Sequence, residues 1–128
     1  MQPLQLEPTY NSPKVNFDAQ QGVMELKGRS IPEHANLFYQ RLIEWAKEYA
    51  ASDPPKTVVD VRLDYLNSSS HKFLYDVFEK FEPIAANGHD IIINWHYEEE
   101  DEEMRETGEE YSENLKVPFN IIEVEELF

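Results

Sequence analysis

The pattern of apolar and polar positions predicts strands and helices that follow one another along the chain. Short β-branched or alternating runs favour strands at 15–17, 23–26, 58–66, 90–97 and 119–124. Apolar residues spaced three and four apart instead predict amphipathic helices over 30–51 and 73–84, and the acidic stretch 98–115 predicts a surface helix bent at Gly108. The order β-β-α-β-α-β-α-β indicates one α/β domain over residues 1–128, with a mixed sheet flanked by helices.

Local signals predict where several of these elements begin and end. Ser30-Ile31-Pro32-Glu33 matches a capping box, so the first helix is expected to begin there and to stop at Asp53-Pro54-Pro55. The second helix should kink or end early at Pro83. The isoleucine-rich strand 90–97 is expected to be buried on both faces, as parallel strands usually are. Residues 1–13, rich in glutamine and proline, are expected to form a flexible arm.

Composition and charge narrow the classes of function. The chain has no cysteine, which excludes disulfides, zinc–thiolate sites and thiol nucleophiles. Its net charge is −15, from 26 acidic and 11 basic residues, and this disfavours binding to nucleic acid or to anionic membrane surfaces. No apolar run is long enough to span a bilayer, and the four histidines lack metal-ligand spacing. A cytoplasmic protein with no cofactor and no metal is expected.

The segment Asn67-Ser68-Ser69-Ser70, which we call the serine turn, follows the central strand and begins the second helix. Free backbone N–H groups and the positive end of the helix dipole converge at such a position, which suits an anion or a phosphate. Helix capping alone explains one asparagine or serine at this position, because both are preferred N-cap residues. Three hydroxyl groups exceed what one cap needs, and functional crevices of α/β sheets lie at the carboxyl ends of strands.

The run LDYLNSSSHKFLYDVFEKFE around this turn resembles the L-x-Y-x-N-[ST]-S-S signature of the SiaC family of regulatory phosphoproteins. Further segments carry the resemblance on both sides of it: SPKVNFD, GVMELKGRSIPEHA, FYQRLIEW and IIINWHYE. Together they cover nearly the whole chain in order. The family is similar in fold to STAS-type anti-sigma-factor antagonists, so the resemblance implies a STAS-like sheet.

The resemblance implies a switch rather than an enzyme. In that family a partner kinase phosphorylates the first hydroxyl residue after the asparagine, which is Ser68 here, and a PP2C-type phosphatase removes the phosphate. The unmodified form binds and activates a diguanylate cyclase, which makes cyclic di-GMP and controls biofilm formation. The expected partner-binding residues are Tyr65, Leu66, Asn67, Ser69 and Lys72. Family members commonly have threonine where this chain has Ser68.

Several alternatives stay open at this point. The partner could be an anti-sigma-type kinase instead of a cyclase, and the modified residue could be Ser69 or Ser70. A small enzyme could use Ser68, His71 and Asp64 as a hydrolytic triad, although the sharp glycine-flanked turn of such nucleophiles is missing. The acidic run 98–103 lacks the alternating ligands and central glycine of a calcium loop, which favours a solvated helix start.

Overall fold

The computed structural model describes all residues from 1 to 128 and contains six strands and four helices. In chain order these are β1 (Leu4–Leu6), β2 (Lys14–Asp18), β3 (Val23–Ser30), α1 (Ala35–Ala51), β4 (Lys56–Leu66), α2 (Ser68–Glu79), α3 (Glu82–Ala86), β5 (Asp90–Glu98), α4 (Glu102–Asn114) and β6 (Phe119–Val124). They form a single mixed sheet flanked by helices, which confirms the predicted fold class. None of the helices combines the length and apolar character needed to cross a membrane.

The six strands lie in the sheet in the same order as in the chain. β2 is antiparallel to both of its neighbours, β1 and β3, and β3 to β6 are parallel. The carboxyl ends of these parallel strands therefore meet at one edge, which we call the carboxyl edge. Because α1, α2 and α4 follow β3, β4 and β5, all three helices begin at that edge. The serine turn lies there too.

The hydrophobic core lies on one face of the sheet. In β4, Val59, Val61 and Leu63 are at most 1% exposed and belong to the same cluster as the buried residues of all four helices, whereas the intervening residues are only half-buried. A sheet with sequential strand order and crossovers of one hand places its helices on one side. The prediction that β5 is buried on both faces holds only in part: on the face away from the core His96 is buried, whereas Ile92 and Asn94 are half-buried.

Two predictions about the first third of the chain are corrected by the structure. Ser30 does not cap α1 but is the last residue of β3, and the N-cap residue of α1 is His34, whose side chain makes no capping bond. The proposed flexible arm is partly ordered, because Leu4–Leu6 pairs with β2 and the indole N–H of Trp45 donates to the carbonyl of Gln2 at 2.9 Å.

Gly108 does not bend α4, which runs without a break from Glu102 to Asn114. A Cβ at this glycine would lie only 2.4 Å from Cδ1 of the buried Trp95. The glycine therefore allows the helix to approach β5 closely, a use that the sequence pattern does not reveal. The helix is interrupted near Pro83, as predicted, because α2 ends at Glu79 and α3 begins at Glu82.

Candidate functional site: the serine turn

The serine turn joins β4 to α2 and is fixed by the side chain of its first residue. Asn67 is the N-cap of α2, and its Oδ1 accepts a 2.8 Å hydrogen bond from the backbone N–H of Ser70. Its own backbone N–H donates to the carbonyl of Ser30 at 3.0 Å, which attaches the turn to the end of β3. Such a cap contributes about 1 kcal/mol to stability.

Ser70 is completely buried and belongs to a chain of hydroxyl groups beneath the turn. The hydroxyls of Tyr39 and Ser30 lie 2.6 Å apart, Ser30 donates to Oγ of Ser70 at 2.7 Å, and Ser70 donates to the carbonyl of Ser30 at 3.0 Å. Burial raises the pKa of Tyr39 to about 12, so its phenol remains protonated at neutral pH. The buried serine is therefore a structural residue with a satisfied hydroxyl.

Ser68 and Ser69 differ from Ser70 in being exposed, and their hydroxyls have no hydrogen-bond partner within the fold. They occupy the first two positions of α2, whose backbone N–H groups have no partner inside a helix. The positive end of the helix dipole lies at the same place. Two accessible hydroxyl groups therefore lie beside backbone N–H groups that can donate hydrogen bonds to an anion.

The predicted partner-binding residues divide into exposed and supporting ones. Tyr65 is 54% exposed, and Lys72 and Ser69 are also exposed. Leu66 is half-buried against the core, and Asn67 is half-buried with its side chain engaged in the cap. The exposed residues can contact a partner directly, whereas the last two hold the turn in shape.

The sequence does not reveal that Tyr10 and Arg29 lie near the exposed residues around the serine turn. The guanidinium of Arg29 lies 5.2 Å from the ring centroid of Tyr10 and forms a 3.6 Å ion pair with Asp64. Arg29 also lies opposite Tyr65 in the β3–β4 register. Tyr10 is 79% exposed and belongs to the predicted arm, so only tertiary structure brings it to the carboxyl edge.

The structure does not assemble the hydrolytic triad that the sequence left open. Asp64 pairs with Arg29, and the ring of His71 packs against Tyr111 with centroids 4.8 Å apart. The hydroxyl of Ser68 contacts neither of the two presumed partners through a hydrogen bond. A serine nucleophile needs an adjacent oriented base, and none is present at this turn.

The acidic run that follows β5 has structural roles. The carboxylate of Asp101 caps α4 by accepting a 3.0 Å hydrogen bond from the N–H of Met104, and Glu102 pairs with Arg105 on the same helix. No group of three or more histidine, aspartate or glutamate side chains in the structure is placed to hold a metal ion. The acidic run thus begins a solvated helix, as predicted.

Comparison with known proteins identifies a family and a set of solved structures. The model of a family described as SiaC family regulatory phosphoprotein matches residues 6–124. An uncharacterised protein of Pseudomonas aeruginosa (strain UCBPP-PA14) is 31% identical over 121 residues, which cover 94% of this chain and 96% of that protein.

Two solved structures from Pseudomonas aeruginosa are similar over nearly the whole chain. The structure of apo-SiaC has a TM-score of 0.87 at 30% identity and covers 95% of this chain and 99% of its own. The structure of the diguanylate cyclase SiaD in complex with its activator SiaC matches with the same TM-score and identity, over 94% of this chain and 99% of the matched chain.

Proposed function

The chain belongs to the SiaC family of regulatory phosphoproteins, and we propose that it is a non-catalytic switch protein whose unmodified form binds and activates a diguanylate cyclase. The relative that was solved in complex with such a cyclase has the same fold over almost its entire length. This complex favours a cyclase over an anti-sigma-type kinase as the target. The proposed output is control of cyclic di-GMP synthesis.

Ser68 is the proposed phosphoacceptor. The observation that supports it is the contrast within the turn, where Ser68 and Ser69 are exposed with free hydroxyls while Ser70 is buried with its hydroxyl in use. Ser68 is proposed over Ser69 because it directly follows Asn67, the position of the phosphorylated hydroxyl in the family signature. A kinase must reach the hydroxyl and a phosphatase must reach the phosphate, and both can approach Ser68 without local unfolding. The proposed enzymes are a partner kinase and a PP2C-type phosphatase.

A phosphate on Ser68 is compatible with the folded domain. It adds a charge of about −1.5 to −2 and three acceptor oxygens at neutral pH. The free N–H groups of the first helical turn and the helix dipole favour that charge, and the exposed Lys72 lies four residues later on the same helix. Modification should therefore leave the fold and its stability nearly unchanged.

The same phosphate should block a partner that packs over the turn. A partner that covers Ser68 and the exposed Tyr65 removes water from both, and a dianion buried in that contact loses its hydration. The cost of that desolvation is several kcal/mol. Phosphorylation thus controls association rather than folding, which is the physical basis of the switch.

The test is to measure the rate of cyclic di-GMP production by the cognate diguanylate cyclase with three forms of the protein. Unmodified protein and Ser68→Ala are expected to activate it equally, whereas Ser68→Glu should need about tenfold more protein or more. A matched control is Gln20→Glu, which adds the same charge in the exposed β2–β3 turn at the opposite edge of the sheet. Loss of activation in Ser68→Ala, or equal loss in both glutamate variants, would contradict the proposal.

A further inference from the structure

Residues 125–128, which we call the tail, fold back over the face of the sheet that lies away from the core, which we call the open face. The tail forms no helix or strand, and no backbone–backbone hydrogen bond holds it. Glu125, Glu126 and Phe128 are exposed, but Leu127 is only 3% exposed. Leu127 is nevertheless not a member of the hydrophobic core cluster. The tail therefore buries one apolar side chain outside the core.

The tail lies along a row of residues that crosses the open face. The strand registers pair Lys27 with Arg62, Arg62 with His96, and His96 with Ile122, so the row runs from β3 to β6. Neighbouring strands are about 4.8 Å apart, a spacing that an extended segment can follow from one strand to the next. At the β3 end of the row, the ring centroid of Phe128 lies 5.8 Å from Nζ of Lys27.

Leu127 is held on this row by side chains rather than by strand pairing. Its backbone N–H donates to Oε2 of Glu98 at 3.2 Å, and its carbonyl accepts from Nη1 of Arg62 at 3.4 Å. The fold thus engages both backbone groups of one residue and buries its side chain as well. An extended peptide of any origin can offer a backbone N–H, a carbonyl and a leucine side chain. These contacts therefore do not require the bound residue to belong to this chain.

The cation of this site is fixed without help from the tail. Nε of Arg62 donates to Oδ2 of Asp60 at 3.2 Å, and its Nη2 lies 3.2 Å from Nε2 of the buried His96. Nδ1 of His96 lies 3.2 Å from the carbonyl of Val61, so one ring nitrogen can donate to that carbonyl while the other accepts from Arg62. The guanidinium is held through two of its nitrogens, which leaves Nη1 for a ligand. Such preorganisation lowers the cost of binding.

We infer that this part of the open face is a docking site for an extended segment of a protein partner, and that the tail occupies it until the partner displaces it. We call it the leucine site, formed by the seat of Leu127 with Lys27, Arg62, His96 and Glu98. The segment that fits has a leucine-sized apolar residue followed by an aromatic residue, because Leu127 and Phe128 show that chemistry in place. The inference does not depend on the proposed function.

The tail can leave the leucine site while the domain stays folded. Its four residues belong neither to the core cluster nor to the hydrogen-bond ladders of the sheet. A partner segment must still compete with the tail, because apparent affinity scales with the fraction of molecules whose site is free. A tail that occupies the site about 90% of the time weakens partner binding about tenfold. The tail is therefore an internal competitor that sets a threshold for the partner.

The test uses the full-length protein and a peptide probe, acetyl-Glu-Val-Glu-Glu-Leu-Phe-amide, which copies residues 123–128. The variant Leu127→Ser/Phe128→Ser releases the tail without shortening the chain. Titration of the probe into this ¹⁵N-labelled variant is expected to give saturable shifts of the backbone amides of Lys27, Arg62 and His96. The unchanged protein should bind the same probe about tenfold more weakly or worse, because its own tail competes.

Two controls test whether the site recognises the chemistry assigned to it. A probe with serine in place of its leucine should give no saturable shifts. In the released-tail variant, the further substitution Arg62→Gln should weaken probe binding about tenfold or more, because it removes the donor to the bound carbonyl. Arg41→Gln removes the same charge from an exposed position of α1, on the other side of the sheet, and should leave binding within about twofold. Thermal unfolding verifies that all variants are folded.

The absence of saturable shifts in the released-tail variant would overturn the inference. Equal binding of the two probes, or equal effects of Arg62→Gln and Arg41→Gln, would do the same. A second copy of this chain is the competing occupant, and sedimentation analysis detects it. The unchanged protein and the released-tail variant should have the same oligomeric state, whereas a dimer that dissociates in the variant would assign the site to the tail of a second copy. None of these results affects the switch proposed for Ser68, which cyclase activation tests separately.

Discussion

The hydroxyl of Ser30 donates a 2.7 Å hydrogen bond to the hydroxyl of Ser70, forty residues further along the chain. Both residues are completely buried, and the bond ties the end of β3 to the first turn of α2. Ser70 is thereby held beneath the turn, while Ser68 and Ser69 remain at the surface. One buried contact thus separates the structural serine from the two that a partner can reach.

The three serines should therefore differ in their effect on stability. Ser70→Ala is expected to lower the free energy of unfolding by about 1–3 kcal/mol, because it leaves buried hydroxyl and carbonyl groups of Ser30 with fewer partners. Ser68→Ala and Ser69→Ala should change it by no more than about 0.5 kcal/mol. Urea unfolding followed by circular dichroism measures all three. Equal destabilisation by the three substitutions would contradict the hydrogen-bond chain.

The cap of α2 offers a second test of how the turn is held. Asn67→Ala removes the acceptor for the N–H of Ser70 and should cost about 1 kcal/mol. Asn67→Asp keeps a capping oxygen and should retain most of the stability. Chemical denaturation distinguishes the two variants. A similar loss of stability in both would mean that the side-chain amide of Asn67 does more than supply a capping oxygen.

The buried phenol of Tyr39 should make stability fall at alkaline pH. Because burial raises its pKa from 10.0 to about 12, the stabilisation is complete below about pH 10 and is lost as the pH rises toward about 12. The loss from this one group is about 1.4 kcal/mol per pH unit in that window. Burial raises the pKa of Tyr49 and Tyr111 as well, so their contributions have the same sign.

Comparison with Tyr39→Phe isolates the contribution of this residue. The variant lacks the titrating group, so its free energy of unfolding should fall less steeply with pH in the same window. Urea denaturation at several pH values between about pH 9 and about pH 12 provides the measurement. Parallel curves for the two proteins would show that the phenol of Tyr39 is not protected by burial.

Because α4 packs closely on β5, we expect Gly108→Ala to lower the stability of the fold, although alanine favours helix formation. The new methyl group would meet the ring of Trp95 at about 2.4 Å, so the helix or the ring must shift. Overpacking of this kind costs about 1–3 kcal/mol, against a gain in helix propensity of about 1 kcal/mol. Thermal unfolding and tryptophan fluorescence report the change, and Glu106→Ala at an exposed position of the same helix is the control.

The sequence predicts those parts of the structure that depend on local patterns. Hydrophobic periodicity located the main strands and helices, and the asparagine cap located the start of α2. The capping box at Ser30 was misleading because a tertiary contact with Ser70 places that serine in a strand. The bend predicted at Gly108 is absent for a similar reason, since the close approach of Trp95 is a tertiary contact that the sequence pattern does not show.

The surroundings of the site were the least predictable part. Tyr10 and Arg29 reach the carboxyl edge from segments far from the serine turn. Asp64 lines one small cavity with Asp101 and Glu103 because the end of β4 and the start of α4 both lie at that edge. Strand order and helix placement decide these contacts, and no local signal encodes them. The exposed hydroxyl, in contrast, follows from a cap and a helix start, which are local features.

The most direct test of the switch is the affinity of the cognate diguanylate cyclase for protein that carries phosphoserine at position 68 only. Genetically encoded phosphoserine and intact-mass analysis give a homogeneous sample, and isothermal titration calorimetry compares it with unmodified protein of equal thermal stability. We predict that the unmodified form binds and that the affinity of the phosphorylated form is lower by about tenfold or more. Equal affinity of the two forms would contradict the account.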